Sequence, residues 1–231
     1  MKTISENDKD FICDIQTPCF QVLEPEEVEL VRSSRAQVHF RKGDNLTKQG
    51  AFASYILFII SGLSRQYLEG DNNRVYNLKI IQQGEFVGLS SAFVNNTFDY
   101  SAVALTDCMA FLIEKQAIAK VVNQNGLFAS TFIQRFCEQE SGLYETIRQV
   151  LYKQMNGRLA ETLLYLNGFK ASNPEIFQLL TRKDLADFAG ISMESAVKLL
   201  KGYEKDGLIE LKDKDITILK RETLQEISLR G

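Results

Sequence analysis

Histidine occurs once in these 231 residues, and the four cysteines, Cys13, Cys19, Cys108 and Cys137, include no CxxC pair. The lone His39 lies between Val38 and Phe40 in an alternating segment. There it reads as a surface or packed residue rather than an axial haem ligand. The cysteine spacing argues against a structural zinc module and leaves four unliganded thiols as the plain reading. No nucleophile–base constellation, metal motif or phosphate-binding loop is legible. No catalytic and no metal residue is therefore assigned, and an enzyme is not expected. The longest apolar run, Ile56-Leu57-Phe58-Ile59-Ile60, is far too short for a bilayer. No basic, apolar, small-residue leader opens the chain, so a cytoplasmic protein without membrane contact is expected.

What is present suits one large or two small domains with an ordinary core: 45% hydrophobic and 25% charged residues. The net charge of −3 is unevenly spread. Residues 1–152 carry 14 Lys+Arg against 18 Asp+Glu, and residues 153–231 carry 13 against 12. Any nucleic-acid contact must therefore use a local basic face, with modest non-specific affinity.

Residues 1–20 are polar and without period. Pro25 opens a helix over PEEVELVRSSR, with acidic residues where the helix dipole favours them. Between Ala36 and Ile113, segments Gln37–Phe40, Tyr55–Ser61, Leu63–Leu68, Arg74–Ile81, Tyr100–Leu105 and Ala110–Ile113 are rich in β-branched and aromatic residues. Glycines punctuate them, which predicts a small barrel or jelly roll. A short helix near Glu114–Val122 precedes a long one from about Gly126. In the long helix Ala129, Phe132, Phe136, Leu143, Ile147 and Val150 recur at spacings of three, four and seven, interrupted by Gln139 and Glu140. Part of that stripe packs on the β domain. A helix of roughly 40 Å exceeds what the β domain covers, so Phe132, Phe136, Leu143, Ile147 and Val150 are expected to form a two-fold dimer interface. Gly157 is read as the hinge, with a further helix starting at Arg158. The expected domains are 1–122, a β-roll with flanking helices; 123–156, the dimerisation helix and hinge; and 157–231.

The last of these is the most informative. Within TRKDLADFAGISMESAVKLLKGYEKDGLIEL, Thr181 is an N-cap with Asp184 three residues on. Gly190 marks a tight turn, and Ser192 caps a second helix carrying Ala196, Val197, Leu199 and Leu200. This pattern predicts a helix-turn-helix. Gly207 then closes the helix. Leu208–Leu211 and Asp215–Leu219 flank the turn Lys212-Asp213-Lys214, which makes the unit winged.

A β domain, a long helix and a winged helix, in that order, resemble the Crp/Fnr family of bacterial transcription regulators over about residues 24–220. The resemblance rests on Phe40-Arg41-Lys42-Gly43-Asp44 with Gly50, Tyr55–Gly62, Gly84-Glu85-Phe86-Val87-Gly88, Ser101-Ala102, Gly157-Arg158-Leu159-Ala160 and residues 181–209. It implies an α+β chain: an N-terminal β-roll, a dimerisation helix and a C-terminal winged helix-turn-helix. It also implies a homodimer that binds a roughly palindromic operator on double-stranded DNA and contacts RNA polymerase.

The chain departs from that family's cyclic-AMP pocket. Leu89 stands where a Glu would hold the ribose. Tyr100, preceded by Asp99, stands where an Arg would bind the phosphate. The positions that would meet the purine fall near Leu143-Tyr144. A buried phosphate beside Asp99 without a cation would carry several kcal/mol of uncompensated desolvation, so cyclic AMP is not the expected effector. An iron–sulfur cluster is not expected either, because the closely spaced N-terminal cysteine triplet is missing. The cofactor is unknown. The candidate effector pocket is Gly88, Leu89, Ser90, Tyr100, Ser101, Leu143 and Tyr144, which with Phe93 takes a less polar ligand or is filled by its own side chains.

By the same resemblance Ser192, Met193, Glu194, Ser195 and Lys198 read bases. Glu194 would accept from cytosine N4, Lys198 would meet guanine, and Met193 would touch a thymine methyl. Thr181, Arg182 and Lys201 would meet phosphates. Glu194 and Lys198 also suit an i,i+4 pair on a solvated face. Two other readings stay open: a ligand-binding module whose winged helix contacts protein, and an iron–sulfur or redox-sensing regulator.

Overall fold

The computed structural model describes every residue except 5–7, 9–11, 13–19 and 95, together with the side chains of residues 73 and 92 excluded. Cys13 and Cys19 therefore lie outside the described residues. The chain divides into two compact units, residues 1–69 with 80–142 and residues 70–79 with 143–231.

The first unit is a β-roll. One antiparallel sheet has the order β1 (Lys2–Ile4), β2 (Arg35–Phe40), β9 (Cys108–Glu114), β4 (Tyr55–Ser61), β7 (Phe86–Val87). The other sheet has the order β3 (Asn45–Thr47), β8 (Ser101–Ala104), β5 (Ser64–Glu69), β6 (Val75–Ile81), of which residues 75–79 are counted with the second unit. Strand β4 shows why its sequence is an unbroken apolar run: both of its faces are buried. Leu57 and Ile59 point between the sheets with Val38, Phe40, Ala102 and Ala104. Ile56 and Phe58 point to the opposite face, among Phe20, Phe86, Phe111 and the helices. Those helices are α1 (Pro25–Ser33), α2 (Lys115–Gln124) and the start of α3 (Gly126–Tyr152). Val31, Ile118, Val121, Phe128 and Phe132 deliver their apolar faces.

Sequence reading finds six of the strands and misses β1, β3 and β7. These have only two or three residues each, too few for a period. The polar N-terminus nevertheless supplies β1, because pairing Lys2, Thr3 and Ile4 with His39, Val38 and Gln37 needs backbone groups and not apolar side chains.

The second unit contains α4 (Met155–Asn167), α5 (Arg182–Ala189), α6 (Met193–Lys205), the hairpin β10 (Ile209–Lys212) and β11 (Asp215–Ile218), and α7 (Arg221–Arg230). Buried Leu159, Leu163 and Leu166 of α4, Leu185 and Phe188 of α5, Leu200 and Tyr203 of α6, and Leu224 of α7 form its interior. Gly157 lies within α4 and not at the break in the helical path, which comes earlier, at Lys153-Gln154; it is buried, and a Cβ there would lie 2.7 Å from the Gly231 carbonyl oxygen. Glycine is needed there for close backbone approach. Helix α7 was not expected from sequence, although Leu224 and Ile227 at a spacing of three carry a weak signal for it.

Candidate nucleic-acid interface and effector region

Helix α5 starts where Thr181 is placed to start it. The Thr181 hydroxyl accepts from Asp184 N–H at 3.1 Å, and the Asp184 carboxylate accepts from Thr181 N–H at 2.7 Å, a reciprocal capping box. Thr181 Oγ1 also donates to that carboxylate at 2.7 Å. Gly190 ends α5 with φ +61°, a backbone that side-chain-bearing residues rarely adopt. Ser192 then caps α6 by accepting from Ser195 N–H at 3.1 Å. Tyr203, near the other end of α6, donates its hydroxyl to the Asn156 carbonyl at 2.6 Å, and burial pushes its phenol up to about 12.

The consequence is an α6 with two distinct faces. Ala196, Leu200 and Tyr203 are buried; Met193, Glu194, Lys198 and Lys201 are exposed, with Ser195 partly so. Glu194 does not form the i,i+4 pair with Lys198. Its carboxylate turns back to its own backbone N–H and to the Ser192 hydroxyl, which hold it below the ordinary range, a negative charge seated at a helix N-terminus. Lys198 and Lys201 remain exposed cations. Thr181 is exposed, but its side chain is committed to the cap. Arg182 is half-buried and donates from Nη2 to the Asp213 carbonyl in the wing at 3.0 Å, so one of its donors is committed within the protein.

Helix α3 corrects one member of the dimer set. Phe132 is 4% exposed and packs against Phe86, Phe93 and Phe128 at ring separations of 5.7, 5.7 and 5.9 Å, so it belongs to the core of the first unit. Gln139 also faces that unit, donating to the Phe86 carbonyl at 3.2 Å, which explains why it interrupts the apolar pattern. Phe136, Leu143 and Ile147 are 39%, 36% and 43% exposed, and Val150 is half-buried. Ile133, Cys137, Tyr144 and Leu151, absent from the sequence-based set, are exposed as well.

In the β-roll the candidate effector residues are already occupied. Leu89 is buried in the aromatic cluster with Phe58, Phe86 and Phe132. The Tyr100 hydroxyl accepts from Gly88 N–H at 2.8 Å, and burial pushes its phenol up to about 12. Ser90 donates to Asp99 at 2.5 Å. Buried Ser101 donates to Glu69 at 2.5 Å; that carboxylate is also held by Lys48 Nζ at 2.6 Å, and these two partners lower its pKa. Leu143 and Tyr144 belong to the second unit and are exposed on α3. Cys108 is a packed thiol that donates to the Leu63 carbonyl at 3.2 Å, and burial pushes it up to about 11. Cys137 is exposed. His39 Nε2 lies 3.7 Å from Asp107. Among the described residues, no three His, Cys, Asp or Glu side chains converge as a metal site, and no helix is long and apolar enough to cross a membrane.

Residues 37–125 match the family model of the cyclic nucleotide-binding domain, and residues 157–227 match that of the Crp-like helix-turn-helix domain. The chain is 27% identical to an anaerobic regulatory protein of Bacillus subtilis, over 85% of each chain. It is 22% identical to a CRP-like cAMP-activated global transcriptional regulator of Mycobacterium tuberculosis, over 89% of this chain and 93% of that one. A crystal structure from Eubacterium rectale, described as a transcriptional regulator of the Crp/Fnr family, superposes with a TM-score of 0.78 at 19% identity, over 92% of this chain and 98% of that one. At that identity the likeness is one of fold.

Proposed function

The chain belongs to the Crp/Fnr family of transcription regulators, with a helix-turn-helix DNA-binding domain, and from that premise we propose that it is a cytoplasmic homodimer that reads a two-fold symmetric operator without cyclic AMP. The observation that carries the reading is α6. Its start is fixed by a serine cap, and its exposed face presents Met193, Glu194, Lys198 and Lys201 in order. Residues near the start of such a helix reach base edges in the major groove, and later cations meet the backbone. Segment 123–156 supplies the dimer helix, through Phe136, Leu143 and Ile147 together with Ile133, Tyr144 and Leu151. Contact with RNA polymerase is part of the same proposal, supported by the family likeness alone.

The residues of the β-roll do not fit a cyclic nucleotide. A phosphate at Ser101 would meet the Glu69 carboxylate, which already takes the Ser101 hydroxyl, and Lys48 is already spent on Glu69. The Gly88 N–H is already donated to Tyr100, and Leu89 offers no hydrogen bond to a ribose. A ligand there must first displace the chain's own bonds.

A gel shift against DNA from upstream of its own gene, without added nucleotide, tests this. A retarded band that competitor DNA of random sequence does not remove is expected. Retardation that needs cyclic AMP would overturn the effector part, and binding to no duplex at all would overturn the whole reading.

A further inference from the structure

We propose that Arg182 is a positioning residue: a latch between the first turn of α5 and the wing, which sets Lys212 and Lys214 in the place where they meet DNA phosphates. The inference rests on the DNA-binding reading above. The wing is a hairpin in which Lys212 pairs with Asp215 across the two-residue turn Asp213-Lys214. Asp213 has φ +54°, a left-handed backbone that is unfavourable for a residue with a side chain and persists where the surroundings hold it. The Arg182 guanidinium donates to the carbonyl of that same residue at 3.0 Å.

Two further polar contacts hold the strands beside the turn, and Arg182 is the side chain that reaches the turn residue Asp213 itself. Glu204, at the end of α6, accepts from Leu211 N–H at 3.2 Å, and Lys170 lies 3.2 Å from Asp215. Lys212, Asp213 and Lys214 are all exposed at the tip. A tip free to fray would spread its two lysines over many positions. A tip held by one hydrogen bond presents them in one, so less conformational freedom is lost on binding. Arg182 itself is half-buried beside Glu204, an environment suited to a bond within the protein rather than to a phosphate.

The test has two parts. Hydrogen exchange on the free protein compares wild type with Arg182→Gln. The latch predicts faster exchange at the amides of residues 212–215, with α4 and α7 unchanged as the control for folding. Unchanged exchange at the tip overturns the proposal. The second part is the salt dependence of binding to a random 40-base-pair duplex, for wild type, Arg182→Gln, Lys212→Gln/Lys214→Gln and the triple variant. The latch predicts that Arg182→Gln flattens the slope nearly as far as the lysine pair does, up to about two units per subunit, and adds nothing in their absence. A further loss of about one unit per subunit in the triple variant would make Arg182 a direct phosphate contact and overturn the latch. Because exchange needs no DNA, failure of the wild type to bind the duplex would sink the DNA reading while the exchange result still decides the latch.

Discussion

Replacing Leu143 and Ile147 together by Glu should convert the protein to monomers without unfolding it. The two side chains are 36% and 43% exposed on α3, so the part of each that a partner helix can cover is limited. Full burial of such a side chain contributes ~1.5–3 kcal/mol. Scaled to the exposed fractions and counted on both subunits, the pair accounts for roughly 2–5 kcal/mol of association. Removing it weakens the dimer by about two to three orders of magnitude in Kd, before the cost of placing four carboxylates against one another is added. Both residues are exposed in their own chain, so helical content should hold, while the thermal midpoint falls by the stabilisation that dimerisation supplied. Light scattering and sedimentation equilibrium across micromolar concentrations read the mass, and circular dichroism reads the fold. A folded double variant that stays dimeric at low micromolar concentration would refute the assignment of the interface to this face.

Phe132→Ala should do the opposite. It should cost about 3–5 kcal/mol of stability, as expected for an aromatic lost from a packed core, while the folded fraction stays dimeric; denaturant titration with scattering checks both. Glu194→Ala should weaken binding to the true operator by about 1–3 kcal/mol per half-site and spare random DNA. Lys201→Ala should weaken both and flatten the salt dependence by roughly one unit per subunit. Equal losses on both DNAs for Glu194→Ala would reduce that residue to a helix cap. Glu161 is held below its ordinary 4.5: burial opposes its ionisation, but hydrogen bonds from Lys153 and Ser228 outweigh it. Its stabilisation is therefore fully present above the unfolded carboxylate range and is lost as pH falls through the lower folded pKa. Glu161→Gln should be less stable than wild type at neutral pH, with the gap closing in acid. A gap independent of pH would mean that Glu161 acts by packing alone.

Much of the architecture was legible because it is written in local chemistry. The capping box at Thr181 and Asp184, the left-handed Gly190 and the Ser192 cap are each set by a few neighbouring residues, and all three stand where the sequence places them. The two-faced run Ile56–Ile60 is likewise explained by burial on both sides. What escaped depends on distant partners. That Phe132 turns to the β-roll while Phe136 stays exposed follows from where the aromatic cluster lies, and helical spacing alone cannot say so. The role of Gly157 follows from the approach of Gly231, 74 residues on. The donation of Arg182 to the wing joins residues 31 apart and engages a cation for which the resemblance implies only a phosphate partner. In the effector region the departures at Leu89 and Tyr100 were visible in sequence. The commitment of Ser101 and Lys48 to Glu69 was not, since Glu69 lies 32 residues before Ser101.

The most direct test of sequence-specific reading by α6 is selection of bound duplexes from a randomised library, run without nucleotide on wild type and on Glu194→Ala. Enrichment of a two-fold symmetric sequence with half-sites one helical turn apart is expected, with loss of preference at one position in each half-site for the variant. Failure of the wild type to enrich any sequence, or the same preferences in both proteins, would contradict that reading.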